Sequence, residues 1–162
     1  MNNIIAKGVL PVLMTSFLFA CNEKKEEPAP AAIDKEQIKK EIQAKEDSFA
    51  AVYNSGQYRS IGYYAEDATS FFQGRPPLVG KSAIISFLQN DVVSNADRIS
   101  FKTREVFVSN DGNMVVEIGA FNVVDSLNNP VNSGNYMTMF EKRDGKYVSV
   151  RDMSTSDGTI ER

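Results

Sequence analysis

Apolar residues recur at helical spacing through Ile38, Ile42, Phe49, Val52 and Tyr53, behind an Asp34 and Gln37 pair three residues apart that reads as a capping box. Gly56 is placed to stop the run. The pattern predicts one long amphipathic helix over Lys35–Ser55, with its Glu and Lys pairs on the charged face. A shorter helix is expected over Tyr58–Tyr64, a strand over Ala68–Gln73, and a third helix over Ser82–Val92 with Ile84, Ile85, Phe87 and Leu88 on one face. Pro76 and Pro77 forbid continued pairing after the early strand.

Past the third helix the period changes. Runs at Ser100–Ser109, Met114–Asp125, Gly134–Lys142 and Lys146–Ser154 are rich in Val, Ile, Phe, Tyr and Thr, and turn signals separate them at Asn110-Asp111-Gly112, Asn128-Asn129-Pro130 and Asp144-Gly145. Asp-Gly between two such runs is a strong hairpin signal. Three helices with an early strand among them, followed by a four-stranded antiparallel meander, must bury their apolar faces on each other. The expected class is α+β, with the helices on one side of a curved, mostly antiparallel sheet.

The amino terminus adds location. Lys7 precedes an uncharged, mostly apolar run over residues 8–20. At about 1.5 Å per residue such a run makes a helix of roughly 20 Å, short of a hydrocarbon core of roughly 30 Å. This is the size of a signal-peptide core, and Leu18-Phe19-Ala20-Cys21 resembles the lipobox of bacterial lipoproteins, with Phe19 bulkier than usual. Cys21 is the only cysteine, so an internal disulfide is excluded and lipidation is the chemistry that fits it. The expected organisation is a signal peptide over 1–20, a lipid-anchored polar linker over 21–32, one domain over 33–158 and a short tail over 159–162. The expected location is the cell envelope, anchored to the outer membrane on its periplasmic or cell-surface face, because Glu23-Lys24-Lys25-Glu26-Glu27 resembles the export signals of some lipoproteins.

Composition removes chemistry. With no histidine and one cysteine, His-dependent triads, Cys-His nucleophiles and the usual zinc and copper sites are excluded. No calcium-loop spacing is present, so neither a metal nor a cofactor is expected. The net charge of −3 without a basic cluster argues against nucleic acid.

The stretch Gly56-Gln57-Tyr58 through Tyr64-Ala65-Glu66-Asp67-Ala68, then Gly80-Lys81-Ser82-Ala83-Ile84 and Asp144-Gly145-Lys146-Tyr147, resembles the nuclear transport factor 2-like (NTF2-like, cystatin-like) superfamily, and within it the SnoaL-like and DUF4440 groups. The resemblance implies a cone of three N-terminal helices on the sheet, a cavity between the long helix and the sheet, and a homodimer formed through the sheet. It also tests ketosteroid isomerase chemistry, which needs a base, a phenol and a protonated acid. Carried over residue by residue, the phenol position falls on Phe49, the base on Phe72 and the acid near Tyr136. Two of three roles are vacant, so that reaction is not expected.

Candidate ligand-binding residues are the aromatics Tyr53, Tyr64, Phe72, Phe121 and Tyr136, with Glu117 and Arg151. Each has a plainer reading: core packing for the rings, and a solvated sheet face for the charges. In the last strand, strict alternation sets Arg151 with Tyr147, Ser149 and Met153, and Asp152 with Val148 and Val150. Parity leaves open which charge is inside. Arg151 inside would pair with a ligand carboxylate; Asp152 inside would be an acid or base, with Tyr136 assisting. The favoured expectation is a pocket that holds a small, largely apolar molecule; a cyclase, dehydratase or isomerase and a structural assembly domain are the alternatives.

Overall fold

The computed structural model describes residues 33–90 and 97–158. The signal peptide, Cys21, the linker, the tail and the last two residues of the expected third helix lie outside them. The chain order is α1 (Lys35–Asn54), a 3-10 turn (Tyr58–Ser60), β1 (Tyr64–Phe72), β2 (Leu78–Val79), α2 (Lys81–Asn90), β3 (Arg98–Val108), β4 (Met114–Val124), β5 (Pro130–Arg143) and β6 (Lys146–Ser156). The six strands form one sheet in the order β2-β1-β6-β5-β4-β3, antiparallel throughout except for the β1–β6 pair.

Local chemistry explains most of the boundaries. The Asp34 carboxylate accepts the Gln37 N–H at 2.9 Å, which satisfies one of the free donors at the start of α1. Gly56 leaves the helix with φ 73°, a conformation that costs glycine little. The β5–β6 hairpin turns through Asp144 and Gly145, both at positive φ, as the twist of a two-residue turn requires.

The described residues hold two α-helices rather than three. The segment expected to be helical over Tyr58–Tyr64 makes one 3-10 turn and then extends at Ile61. Tertiary pairing outweighs its propensity. The Tyr63 carbonyl accepts the Ser149 N–H at 2.9 Å, and Tyr64 pairs with Ser149, so β6 captures the chain four residues before the expected strand start. Strand β2 was not anticipated. It resumes pairing directly after Pro76-Pro77, with Leu78 opposite Ser70 and Val79 opposite Thr69, at the sheet edge where proline is tolerated.

Two bulges set which side chains face the helices. In β6, Met139 pairs with Arg151 and Phe140 with Ser149, which leaves Val150 as an extra residue. Tyr147, Ser149 and Val150 are buried in succession and Arg151 is exposed. Strict alternation therefore fails at this one position, and Asp152, Ser154 and Ser156 share the inward face with Tyr147 and Ser149. A second bulge in β3, between Thr103 and Glu105, shifts the parity after Thr103, so that Val106 and Val108 follow Phe101 and Thr103 on the inward face. The apolar core lies under α1 and α2, around Ile42, Ile61, Ile84, Val115, Phe140 and Tyr147.

Candidate functional site

The inward face of the sheet is layered by its register. Above the buried row of Ser149, Phe140 and Val115, a layer is polar on four adjacent strands: Ser70 of β1, Asp152 of β6, Thr138 of β5 and Glu117 of β4 pair in sequence across the sheet. The next layer runs Phe72, Ser154, Tyr136, Gly119 and Thr103, and the one beyond it Ser156, Gly134, Phe121 and Phe101. Successive layers are two residues apart, so Asp152 and Ser156 stand roughly 13 Å apart along β6. Gly119 and Gly134 make room for the rings beside them. A side chain on Gly119 would meet the Tyr136 ring at 2.3 Å, and one on Gly134 the Phe121 ring at 2.6 Å.

Between these layers and the helices lies a cavity of about 370 Å³. Aromatic rings form most of its wall: Phe49 and Tyr53 from α1, Tyr63 and Tyr64 before and at the start of β1, Phe72, Phe87, Phe101, Phe121 and Tyr136. The rings pack mainly edge to face, with Phe49 meeting Tyr63, Tyr64 and Phe101 at 5.1, 6.1 and 5.5 Å between centroids. Exposed Gln73, Arg75 and Asn132 mark the mouth, where the Arg75 guanidinium stacks 3.9 Å above Phe87.

The deep end carries three carboxyls. Glu46 of α1 is buried and lines the cavity; the Tyr63 hydroxyl donates to it, with Thr138 Oγ1 3.2 Å from the same hydroxyl. Glu117 lies fully buried beneath the floor, where Oε1 accepts from Thr103 Oγ1 at 2.5 Å and from Tyr136 Oη at 2.8 Å. No described hydroxyl or N–H reaches Glu117 Oε2, and the Glu117 and Glu46 carboxyls interact directly with one another. Burial pushes Glu46 well above the ordinary carboxylate range, and the charge of Glu117 pushes it further. Burial also raises Glu117, against the pull of its hydroxyl donors. A proton held on Glu46 and donated to Glu117 satisfies both groups, and burial favours that arrangement. Asp152 lines the cavity, accepts from the Ser70 hydroxyl through Oδ1, and is pushed up to about 6 by burial.

The expected site residues divide cleanly. Tyr53, Tyr64, Phe72, Phe121, Tyr136 and Asp152 all line the cavity. Glu117 is inside rather than on a solvated face, but one layer below the cavity surface. Arg151 is outside: the Val150 bulge turns it away, and its guanidinium donates to the carbonyls of Val150 at 2.5 Å and Asp67 at 3.4 Å. It therefore cannot meet a ligand carboxylate in the cavity. Glu46 was not among the expected site residues and proves central to the floor. Its position was readable, since it falls on the apolar stripe between Ile42 and Phe49.

No protein-family model matches the sequence, and no curated protein matches it. Solved structures do. A cystatin-like domain of unknown function from Nostoc punctiforme superimposes with a TM-score of 0.64 at 18% identity, over 79% of this chain and 80% of that one. An NTF2-like protein from Novosphingobium aromaticivorans gives 0.63 at 16%, over 76% and 85%. The fold is NTF2-like, that is, cystatin-like. A ketosteroid isomerase-like protein from Erwinia carotovora atroseptica shares it at a TM-score of 0.58 and 15% identity, over 74% of this chain and 96% of that one. Such identities establish the NTF2-like scaffold alone; chemistry must come from the side chains. On this scaffold Phe49 and Phe72, the carried-over phenol and base positions, both line the cavity and offer neither a hydroxyl nor a proton acceptor.

Proposed function

We propose that this domain holds a small, largely apolar molecule in the cavity, with its polar end toward Asp152. The observation that carries the reading is the open, ring-walled space between α1 and the sheet. Its volume of about 370 Å³ falls in the range of small-molecule pockets, roughly 300 to 1,000 Å³. A panel of small envelope metabolites screened by thermal shift and native mass spectrometry should return binders that raise the unfolding temperature. Ser154→Phe, which fills the middle layer, should lose them while the protein still folds; binding unchanged by that substitution would place the ligand elsewhere.

A second reading is favoured by one group. Asp152 titrates near the operating pH of general acids and bases and faces the cavity, so proton transfer on a bound substrate is its natural chemistry. Tyr136 would assist through its hydroxyl, which is tied to Glu117. This enzyme reading predicts activity that rises with pH through about 6 and disappears in Asp152→Asn.

The proposed setting follows from Cys21. Lipidation there would tether the domain to the outer membrane, and Cys21→Ser should move it from the membrane fraction to the soluble one. A homodimer is also part of the proposal. On the outer face, Phe71, Met153, Met137 and Ile118 stand in register across four strands, with the first three exposed. Met137→Glu should shift the sedimentation of a dimer toward the monomer; an unchanged species would remove this face from the interface.

A further inference from the structure

The cavity's inventory of charges is lopsided. Its only lining cation among the described residues is Arg75, at the mouth and stacked on Phe87. Its deep end holds Glu46, Glu117 and Asp152, and the side-chain donors to these three among the described residues are neutral hydroxyls: Tyr63, Thr103, Tyr136 and Ser70. Buried carboxylates are ordinarily paired with a cation or a metal. Among the described residues no Lys or Arg reaches the floor, and no group of carboxylates is arranged to hold a metal ion.

Glu46 and Glu117 satisfy one another by sharing a proton, but Asp152 does not join them. Its Oδ1 accepts from Ser70 and its own backbone N–H also serves the carboxyl, but no charged donor among the described residues is seen on it, although the side chain lines the cavity and is largely desolvated. A carboxylate that lines a cavity without a charged partner is a receptor for a hydrogen-bond donor, and a charged donor satisfies it best. The walls agree with this. Tyr53, Tyr64 and Phe72 present rings to the same space, and ring faces attract a cation.

We infer that the cavity selects small amines, with the ammonium group against Asp152 and an aromatic or aliphatic body running past Phe72 toward the mouth. The inference rests on the pocket reading above and specifies its ligand class. An anionic ligand is disfavoured by the same groups, since it would bring a further negative charge to a floor that already holds three carboxyls and no cation among the described residues. A neutral alcohol can donate to Asp152 but gains neither the ion pair nor the attraction of the rings.

Three probes that share one body separate these cases: phenethylamine, phenethyl alcohol and hydrocinnamate, titrated calorimetrically into the full domain near pH 7.5. The amine should bind on the order of tenfold more tightly than the alcohol, and hydrocinnamate should not bind. Asp152→Asn should erase the amine's advantage and keep the alcohol's affinity, which also reports that the variant is folded. Wild-type protein supplies an independent arm. Lowering the pH through about 6 should weaken the amine and leave the alcohol unchanged, because Asp152 gains a proton while phenethylamine stays charged. The groups facing Asp152 in that titration are Glu46 from α1, Tyr64 and Ser70 from β1 and Thr138 from β5, with Phe87 and Leu88 the nearby wall from α2. Glu46 is held well above the ordinary carboxylate range, and none of the others gains a positive charge. Equal binding of alcohol and amine, or tighter binding of hydrocinnamate, overturns the amine inference and keeps the pocket. Binding by none of the three defeats the pocket reading and the inference together.

Discussion

The acidic residues of this protein behave in opposite ways in two regions. On the outside, Asp67 is held below its ordinary range by its hydrogen bonds with Arg143, and Asp111 is lowered to about 2 by the Ser109 hydroxyl and by Asn113. Asp125 is lowered in the same manner by Asn129 in the next turn. On the cavity floor, Glu46, Glu117 and Asp152 are all raised, chiefly by burial. The outer carboxylates close turns and edges, and they help the fold by being ionised. The inner ones resist ionisation, so the fold bears a cost to keep them. A costly cluster of desolvated carboxyls at the wall of an open cavity is what a binding or proton-handling site looks like, and a merely structural cluster would be replaced by apolar packing at little loss.

The contrast can be broken most severely at the glycine that makes room for the floor. Gly119→Val drives a side chain into the Tyr136 ring, and the overpacking should cost about 3 kcal/mol in urea unfolding. Glu117→Ala should follow, at about 2 kcal/mol, because the Thr103 and Tyr136 hydroxyls and the Glu46 carboxyl lose their shared acceptor. Glu46→Gln sharpens the comparison. A glutamine reproduces the protonated acid, accepting from Tyr63 and donating to Glu117, so at pH 7 its effect should stay under about 1 kcal/mol. A large gain in stability from that substitution would mean that Glu46 is ionised.

The two regions also predict opposite pH limbs. Asp152 has its folded value raised from 3.8 to about 6, so its contribution to stability is full below the unfolded value and is lost as pH rises toward 6. Glu46 and Glu117 act in the same direction from 4.5 upward. Asp111, lowered from 3.8 to about 2, contributes above 3.8 and loses that contribution as pH falls toward 2. Urea midpoints should therefore peak near pH 4, and Asp152→Asn should flatten the limb above the peak. The smallest effect belongs to Asp67→Asn. Its pair with Arg143 is exposed, so the urea midpoint should move least of all, and less still in high salt.

The sequence disclosed the scaffold better than the site. The 3.6-residue stripe of α1 and the Asp-Gly hairpin survive nearly intact, because both are written in local terms. The Tyr58–Ile61 turn, the early start of β1 and the two-residue β2 are decided by pairing with distant chain, which no local window contains. The cavity face of β6 hinged on one inserted residue. Val150 shifts the parity and exchanges Arg151 for Asp152 as the inward charge, and nothing in the tetrapeptide Ser149-Val150-Arg151-Asp152 marks the bulge. Two signals were present and informative. Glu46 interrupts an apolar stripe, and Gly119 and Gly134 interrupt strands rich in larger residues, which is where glycine marks the close approach of another group.

The direct test of the central claim is a carboxyl-carbon NMR titration of the protein labelled at Asp and Glu. The account predicts that Glu46 remains protonated at pH 7, that Asp152 titrates near 6, and that Asp67, Asp111 and Asp125 titrate below their ordinary range. Ordinary carboxylate midpoints near 4 for Glu46 and Asp152 would contradict it, and would remove the charge asymmetry on which the proposed ligand chemistry stands.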